Sequence, residues 1–138
     1  MSGGVLLDTC AAIWLANENE MTAAALDAIL AAGRDEGVFV SPISAWEIGM
    51  LSRFGGGLQF LPDAGAWFAR LMTGPGIRPA PFTASIAIGS SHLPGTPHRD
   101  PADRLLIATA RALTMPIVTR DEKIIAYAAG GFVEVVVC

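Results

Sequence analysis

Residues 100–121, with the sequence DPADRLLIATARALTMPIVTRD, contain the pattern that decides the fold. Asp100 is a good helix cap, and the apolar residues that follow it at helical spacing predict a helix from Pro101 to Leu113. Pro116 cannot continue that helix, and the apolar run after it predicts a short buried strand at Ile117–Thr119. A helix followed closely by a short buried strand is typical of a parallel sheet whose strands are connected by helices.

The rest of the chain repeats this alternation of short apolar runs and longer helical patterns. Further strands are predicted at Val5–Leu7, Val38–Val40, Ile77–Arg78 and Phe132–Val137. Further helices are predicted over Thr9–Leu15, Thr22–Ala32, Ser41–Phe54, Asp63–Met72, Thr83–Ser90 and Glu122–Ala129. The expected helix stops are a left-handed Gly33, Gly55–Gly57 and Gly130-Gly131. This order implies an α/β protein with a parallel sheet covered by helices on both faces.

The composition indicates one globular domain that covers residues 1–138. Neither a linker nor a repeat divides the 138 residues, and a hydrophobic fraction of 52% with 16% charged residues argues against disorder. No apolar stretch approaches the roughly 18 residues of a membrane span, and Asp8 interrupts the one candidate for a signal peptide. We therefore expect a soluble, cytoplasmic protein without a membrane association.

The net charge and the two cysteines argue against certain classes of nucleic-acid-binding, metal-binding and disulfide-bonded proteins. The net charge of −4 argues against a protein that holds nucleic acid mainly by a basic surface. It does not exclude an enzyme whose metal ions supply positive charge locally. Cys10 and Cys138 show neither the spacing of metal ligands nor a disulfide pattern.

Two aspartates follow predicted strands. Asp8 comes directly after Val5–Leu7, and Asp121 lies two residues after Ile117–Thr119. Ligands of open parallel sheets bind beyond the carboxyl ends of the strands. We therefore expect Asp8 and Asp121 to point into the same crevice.

Two further carboxylates, Glu47 and Asp103, lie on predicted helices among apolar residues. One helical turn from Glu47 lie Ile43, Ser44, Met50 and Leu51, and on the face of Asp103 lie Leu106, Ile107 and Ala110. Capping or the helix dipole explains Asp8, Asp103 and Asp121 one at a time, so a structural role stays open for each. Glu47 has no such explanation, and an inward carboxylate costs several kcal/mol unless it is paired or binds a metal.

A group of converging carboxylates without histidine or cysteine favours Mg²⁺ or Mn²⁺ over Zn²⁺. Such an ion activates water and neutralises the charge that builds up on a phosphodiester. Asp8, Glu47 and Asp103 are the expected primary ligands or water-orienting bases. Asp121 is expected to complete a second metal position or to act through water. The residues thus indicate metal-assisted hydrolysis of phosphodiester bonds.

Four segments of the sequence match one protein family in order and spacing. They are Leu6–Thr9 (LLDT), Ser41–Ile48 (SPISAWEI), His98–Ala108 (HRDPADRLLIA) and Ile117–Asp121 (IVTRD). With these segments the chain resembles a PIN-domain ribonuclease and, more narrowly, a VapC-type toxin of a type II toxin–antitoxin pair. The segments span nearly the whole chain, so the resemblance is far more specific than a single strand-end aspartate.

The resemblance implies a three-layer α/β/α sandwich with a central parallel sheet and a Mg²⁺- or Mn²⁺-dependent endoribonuclease site. It carries the catalytic and metal-binding roles onto Asp8, Glu47, Asp103 and Asp121. Thr119 resembles a hydroxyl residue that orients the site. We interpret Asp100 as the helix cap and Asp103 as the ligand, because Asp103 shares a face with Leu106 and Ile107. The resemblance also implies a homodimer, a cognate antitoxin protein and structured cellular RNA, often transfer RNA, as the substrate.

Two other interpretations stay open. A non-catalytic PIN-like binding module would keep the site but act by sequestering RNA or a protein partner. A phosphatase or phospho-receiver would use Asp8 as the nucleophile. The sequence Asp8-Thr9-Cys10 lacks the second aspartate that haloacid-dehalogenase-type phosphatases need, and the acidic pair and later lysine of a receiver are not clear.

Several other residues have a functional and a structural interpretation. Four arginines could either contact RNA or be ordinary solvated surface residues: Arg99, Arg104, Arg111 and Arg120. His92 and His98 are interpreted as surface or loop-packing residues rather than general acids, because neither has a carboxylate partner in the sequence. The three tryptophans, Trp14, Trp46 and Trp67, are interpreted as residues of the core or of an interface. Some of them could face a helix of an antitoxin.

Overall fold

The computed structural model describes residues 3–55 and 57–138. Gly56, part of the predicted glycine stop, lies outside the described residues. The strands are β1 (Gly4–Leu7), β2 (Gly37–Val40), β3 (Ile77–Pro79), β4 (Ile117–Thr119) and β5 (Val135–Val137). The helices are α1 (Thr9–Ala16), α2 (Ala23–Gly33), α3 (Pro42–Phe54), α4 (Ala64–Met72), α5 (Ala84–Ser90), α6 (Pro101–Leu113) and α7 (Glu122–Ala128). Among the described residues, no helix has the length and apolar character that a membrane crossing requires.

The strands form one parallel sheet in the order β3-β2-β1-β4-β5. The chain adds β2 and β3 on one side of the central β1, and β4 and β5 on the other. The direction of winding therefore reverses between β1 and β4, and ligands usually bind in the crevice at such a reversal. Leu6 pairs with Ile117 and Leu7 with Val118, so the residues that follow β1 and β4 meet at the carboxyl edge of this crevice.

Two apolar cores cover the two faces of the sheet. Successive side chains of a strand point to opposite faces, and β1 divides accordingly. Val5 and Leu7 pack with apolar residues of α1, α2 and α4, whereas Leu6 packs with those of α6 and α7. Because β1 is completely buried between these layers, the predicted α/β/α sandwich with a parallel sheet is confirmed.

Two local predictions were wrong. Gly33 is not a left-handed stop: it is the last residue of α2, and the C-cap is Arg34 with a φ of −90°. The glycine that a close approach requires is instead Gly76, with a φ of +75°: a Cβ on it would lie 2.8 Å from the Gly33 Cα, whereas a Cβ on Gly33 would meet only Val38 at 3.9 Å. The last strand begins at Val135 rather than Phe132, because the Phe132 ring stacks on Tyr127 instead of extending the sheet.

Candidate metal centre

Asp8 lies at the carboxyl end of β1, and both of its carboxylate oxygens accept hydrogen bonds. Oδ1 accepts from the backbone N–H of Ala11 at 2.7 Å and caps α1. Oδ2 accepts from the Thr119 hydroxyl at 2.5 Å, across the crevice between β1 and β4. The residue is only 5% exposed, and burial raises the pKa of its carboxyl group in spite of these two donors.

Thr119 connects the two aspartates that follow β1 and β4. Its hydroxyl donates to Asp8, and the same oxygen accepts the backbone N–H of Asp121 at 3.0 Å. Asp121 Oδ1 accepts the backbone N–H groups of Lys123 and Ile124 at 2.9 and 3.0 Å, and so caps α7. Thr119 therefore has the geometry of a residue that fixes the position of both acids relative to each other.

Glu47 approaches Asp8 from α3 and is attached to α1 by a side-chain hydrogen bond. The Thr9 hydroxyl donates to Glu47 Oε1 at 2.5 Å. Burial raises the pKa of the Glu47 carboxyl group against the effect of this donor, and the charges of Asp100 and Asp8 raise it further. Thr9 follows Asp8 in the segment Leu6–Thr9, but its contact with Glu47 joins two different helices and could not be predicted from a local pattern.

The environment of Glu47 is only partly as expected. Ser44 is completely buried and lies in hydrogen-bond contact with Thr9, 3.0 Å between the hydroxyl oxygens. Met50, however, is 43% exposed, so the face of α3 around Glu47 is buried toward the N-terminus of the helix and open toward its C-terminus. Glu47 therefore sits at the rim of the core, where a carboxylate can be reached from solvent.

Asp100 was predicted to cap α6, and Asp103 was predicted to be the ligand. Asp100 is the N-cap of α6, and its Oδ1 accepts the backbone N–H of Asp103 at 3.1 Å, so the predicted capping role is confirmed. The side chain of Asp103 is only 17% exposed. Burial raises the pKa of the Asp103 carboxyl group to about 7, and the charges of Asp100, Asp121, Glu47 and Asp8 add to this effect.

The thiol of Cys10 lies close enough to the predicted acids to be affected by their charges. Burial raises the pKa of this thiol to about 11, and the charges of all four predicted acids contribute, in the order Asp8, Glu47, Asp121 and Asp103. The donor set is made of hard carboxylate oxygens, and burial together with neighbouring negative charges raises the pKa values of Asp8, Glu47 and Asp103, which disfavours their charged forms. A divalent ion that prefers oxygen ligands, such as Mg²⁺ or Mn²⁺, fits this set.

His98 was wrongly interpreted as a histidine without a carboxylate partner. Its Nε2 lies 3.1 Å from Asp103 Oδ2, and its side chain is 16% exposed. One possible ligand atom each of His98, Asp103 and Asp121 lie within 4.8 Å of one another. The sequence did contain a signal in the position of His98, because it lies just before a capped helix whose first turn carries a predicted ligand. His92 is a surface residue as predicted, with Nδ1 3.1 Å from the Ile88 carbonyl oxygen.

Three of the four candidate arginines are tied to backbone carbonyl oxygens. Arg104 donates to the carbonyl oxygen of Ser90, Arg111 to that of Phe132 and Arg120 to that of Cys138. Arg120 also stacks over the Trp14 ring at 3.4 Å. These side chains are therefore anchored rather than freely solvated, while Arg99 is exposed at the end of the loop that carries His98.

A cavity of about 700 Å³ lies away from the acids. It is formed by the C-terminal parts of α1 and α2, by α4 and by the first residues of β2 and β3, and Trp67 lines it. None of the acids of the candidate centre lines this cavity, which is mainly apolar. The carboxylates lie at the carboxyl ends of the strands, whereas this apolar groove lies near the amino ends of β2 and β3.

The raised pKa of Asp103 predicts how stability depends on pH in the absence of metal. The unfolded carboxyl group titrates near 3.8 and the folded one near 7, so the folded state holds more protons between these values. In chelator, the free energy of unfolding should therefore fall as the pH rises from about 4 to 7. Asp103→Asn removes the charge, so its melting temperature at pH 7.5 should exceed that of the wild type by about 3 °C or more.

Thermal melts from pH 5 to 8 in chelator would measure this effect. Asp27→Asn, on the exposed face of α2, makes the same chemical change outside the centre and should follow the wild-type curve. A wild-type melting temperature that rises over this range, or that Asp103→Asn leaves unchanged, would contradict the prediction.

Comparisons with known proteins agree with this architecture. A model of the PIN domain matches residues 5–130. The structure resembles that of VapBC2 from Rickettsia felis bound to a fragment of promoter DNA, with 11% identity, a TM-score of 0.68 and coverage of 97% of this chain and 98% of the other. It also resembles FitAcB from Neisseria gonorrhoeae, with 22% identity, a TM-score of 0.55 and 95% coverage of both chains. FitAB bound to the IR36 DNA fragment gives 20% identity, a TM-score of 0.59 and coverage of 96% and 94%.

No curated protein matched the sequence. At these identities the solved structures show a shared fold, whereas the match to the family model extends over nearly the whole sequence. The match also includes the four segments that carry the predicted acids. The chain belongs to the PIN-domain family.

Proposed function

We propose that this protein is a Mg²⁺- or Mn²⁺-dependent endoribonuclease that acts as the toxin of a toxin–antitoxin pair in the cytoplasm. The observation that carries the proposal is that Thr119 joins Asp8 to Asp121 at the point where the winding of the sheet reverses, with a possible ligand atom of Asp103 within 4.8 Å of one of Asp121. Membership of a family made up largely of nucleases supports it. The similarity to the structures of the VapBC2 and FitAB proteins supports the toxin assignment.

The acids would hold the metal through different oxygens. Asp8, Glu47 and Asp103 are the proposed primary ligands or water-orienting bases, and Asp121 is proposed to complete the set directly or through water. A bound divalent ion supplies Lewis acidity, an activated water at neutral pH and a counter-charge for the phosphodiester. Asp8 and Asp121 each cap a helix with Oδ1. In Asp121 the other oxygen, Oδ2, takes no part in the cap and is the oxygen proposed to face the metal.

The protein's own residues position these acids before RNA arrives. Thr119 holds Asp8, and Thr9 holds Glu47, each through one hydroxyl hydrogen. Preorganised groups need less reordering in the transition state, which lowers the barrier of the reaction. Arg99 is exposed, precedes the helix cap Asp100 and is the arginine that we propose meets a phosphate group of the RNA.

RNA cleavage tests the proposal directly. With Mn²⁺ or Mg²⁺, the wild type should cleave structured RNA such as transfer RNA, and chelator should abolish the cleavage. Asp8→Asn and Asp103→Asn should lower the rate at least about 100-fold, because each removes a proposed ligand. Asp27→Asn should cleave like the wild type. Equal cleavage by all variants, or with and without chelator, would contradict the proposal.

The alternative is a non-catalytic PIN-like module that sequesters RNA or a protein partner. In a bacterial host, the two functions differ in what Asp8→Asn does to growth. A nuclease should lose its toxicity with this substitution, whereas a sequestering module should still arrest growth. A covalent acyl-phosphate trapped on Asp8 would instead support the phosphatase interpretation.

A cognate antitoxin is the proposed protein partner. The structures that this chain resembles are described as VapBC2, FitAcB and FitAB, and two of them contain DNA. The apolar cavity of about 700 Å³ that Trp67 lines is the proposed place for an apolar helix face of the antitoxin. Its position at the amino ends of β2 and β3 would leave the acids open to a second segment of the same partner.

A homodimer is proposed through an exposed apolar stripe on α3. The stripe consists of Trp46, Met50 and Phe54, spaced one turn apart and exposed by 60%, 43% and 69%. A continuous row on one helix can pack against its own copy about a twofold axis, which needs only one self-complementary patch. We therefore propose that the stripe packs against the same stripe of a second copy of the chain.

The mass of the isolated protein in solution tests the dimer. The wild type should have twice the chain mass of 14.4 kDa by light scattering, and the double variant Trp46→Glu with Phe54→Glu should be monomeric. Leu30→Glu, at a residue of α2 that is 57% exposed, places a charge on another apolar surface and should remain dimeric. A monomeric wild type, or a double variant that stays dimeric, would overturn this assignment.

A further inference from the structure

His98, Asp100 and Asp103 form a closed ring of hydrogen bonds at the start of α6. The backbone N–H of Asp100 donates to His98 Nδ1 at 3.4 Å. His98 Nε2 lies 3.1 Å from Asp103 Oδ2, and the backbone N–H of Asp103 donates to Asp100 Oδ1 at 3.1 Å. Each residue thus constrains the next, and the Asp103 carboxylate is held from both the helix and the preceding loop.

The contact at Nδ1 sets which nitrogen of His98 carries the hydrogen. A neutral imidazole has one donor and one acceptor nitrogen. Because a backbone N–H points at Nδ1, that nitrogen is the acceptor, and the hydrogen lies on Nε2. Nε2–H then donates to Asp103 Oδ2, whose partner oxygen, Oδ1, is left for a cation.

We propose that His98 is a positioning residue that orients the Asp103 carboxylate for metal binding and is not itself a metal ligand. The inference rests on the proposed function, because it assumes that Asp103 binds the metal. A ligating carboxylate that is already hydrogen-bonded in the right orientation loses less rotational freedom when the ion binds. His98 therefore strengthens metal binding without contributing an atom to the coordination sphere.

Direct ligation by Nε2 is the competing geometry. One possible ligand atom each of His98, Asp103 and Asp121 lie within 4.8 Å of one another, so the distances alone would also permit direct ligation. Ligation would, however, require the hydrogen to move to Nδ1, where it would face the Asp100 N–H. The observed ring therefore favours the role of donor.

Mn²⁺ affinity, measured by titration of the free ion with electron paramagnetic resonance, tests the proposal without any RNA. His98→Ala should weaken Mn²⁺ binding about tenfold or more. His98→Gln should restore most of the affinity, because its amide nitrogen can replace Nε2–H, whereas His98→Asn is too short to do so. His92→Ala removes a histidine outside the centre and should bind Mn²⁺ like the wild type.

Pulsed electron paramagnetic resonance of the wild type loaded with Mn²⁺ distinguishes the two roles of His98, hydrogen-bond donor to Asp103 or direct metal ligand. The proposal expects no coupling from a directly coordinated imidazole nitrogen, and such a coupling would overturn it. Equal Mn²⁺ affinity of the wild type and His98→Ala would also overturn it, while leaving the nuclease proposal intact. Failure of the wild type to bind Mn²⁺ at all would overturn both.

Discussion

The parallel pairing of β1 with β4 is the constraint on which the candidate centre depends. It places Asp8 and Thr119 at the same edge, and the Thr119 hydroxyl then joins Asp8 to the backbone of Asp121. The pairing itself is stabilised by apolar burial on both faces, since Leu6, Leu7, Ile117 and Val118 are completely buried. Hydrophobic burial of these strands therefore holds carboxylates together that would separate if their mutual repulsion alone decided the structure.

Helix capping and metal binding are compatible roles for these acids. A carboxylate offers two oxygens and about four acceptor positions, so one oxygen can satisfy helix N–H groups while another is available to a cation. Asp8 and Asp121 both cap with Oδ1, whereas at α6 the tasks are divided: Asp100 caps the helix, and Asp103 occupies its first turn. The helix N-termini also contribute positive partial charge, which partly offsets the concentration of negative charge at this edge.

The sequence predicted the fold because local signals and apolar patterns agreed along the chain. The observed α6 and β4 have the predicted limits, and Asp8, Asp100 and Asp121 each precede a helix that they cap. The prediction at Gly33 was wrong because α2 continues through this glycine and is capped by Arg34, while the glycine that needs a positive φ and a close approach is Gly76, more than forty positions away.

The candidate centre was predictable to the extent that its acids follow strands or interrupt apolar helix faces. Among the groups around them, Thr119 was indicated by the family resemblance. Thr9 and His98 were not predicted, because they act through contacts between different elements. His98 precedes Asp103 by five positions, and the two side chains meet only because the chain turns at the Asp100 cap. Such contacts depend on the direction of a loop, which hydrophobic periodicity does not determine.

The most direct measurement of the central claim is anomalous diffraction from crystals of the protein grown with Mn²⁺. The account predicts an anomalous peak at the carboxyl edge between β1 and β4, about 2.2 Å from carboxylate oxygens that include those of Asp8 and Asp103. Well-ordered carboxylates without such a peak, or peaks confined to exposed acids such as Asp63, would contradict it.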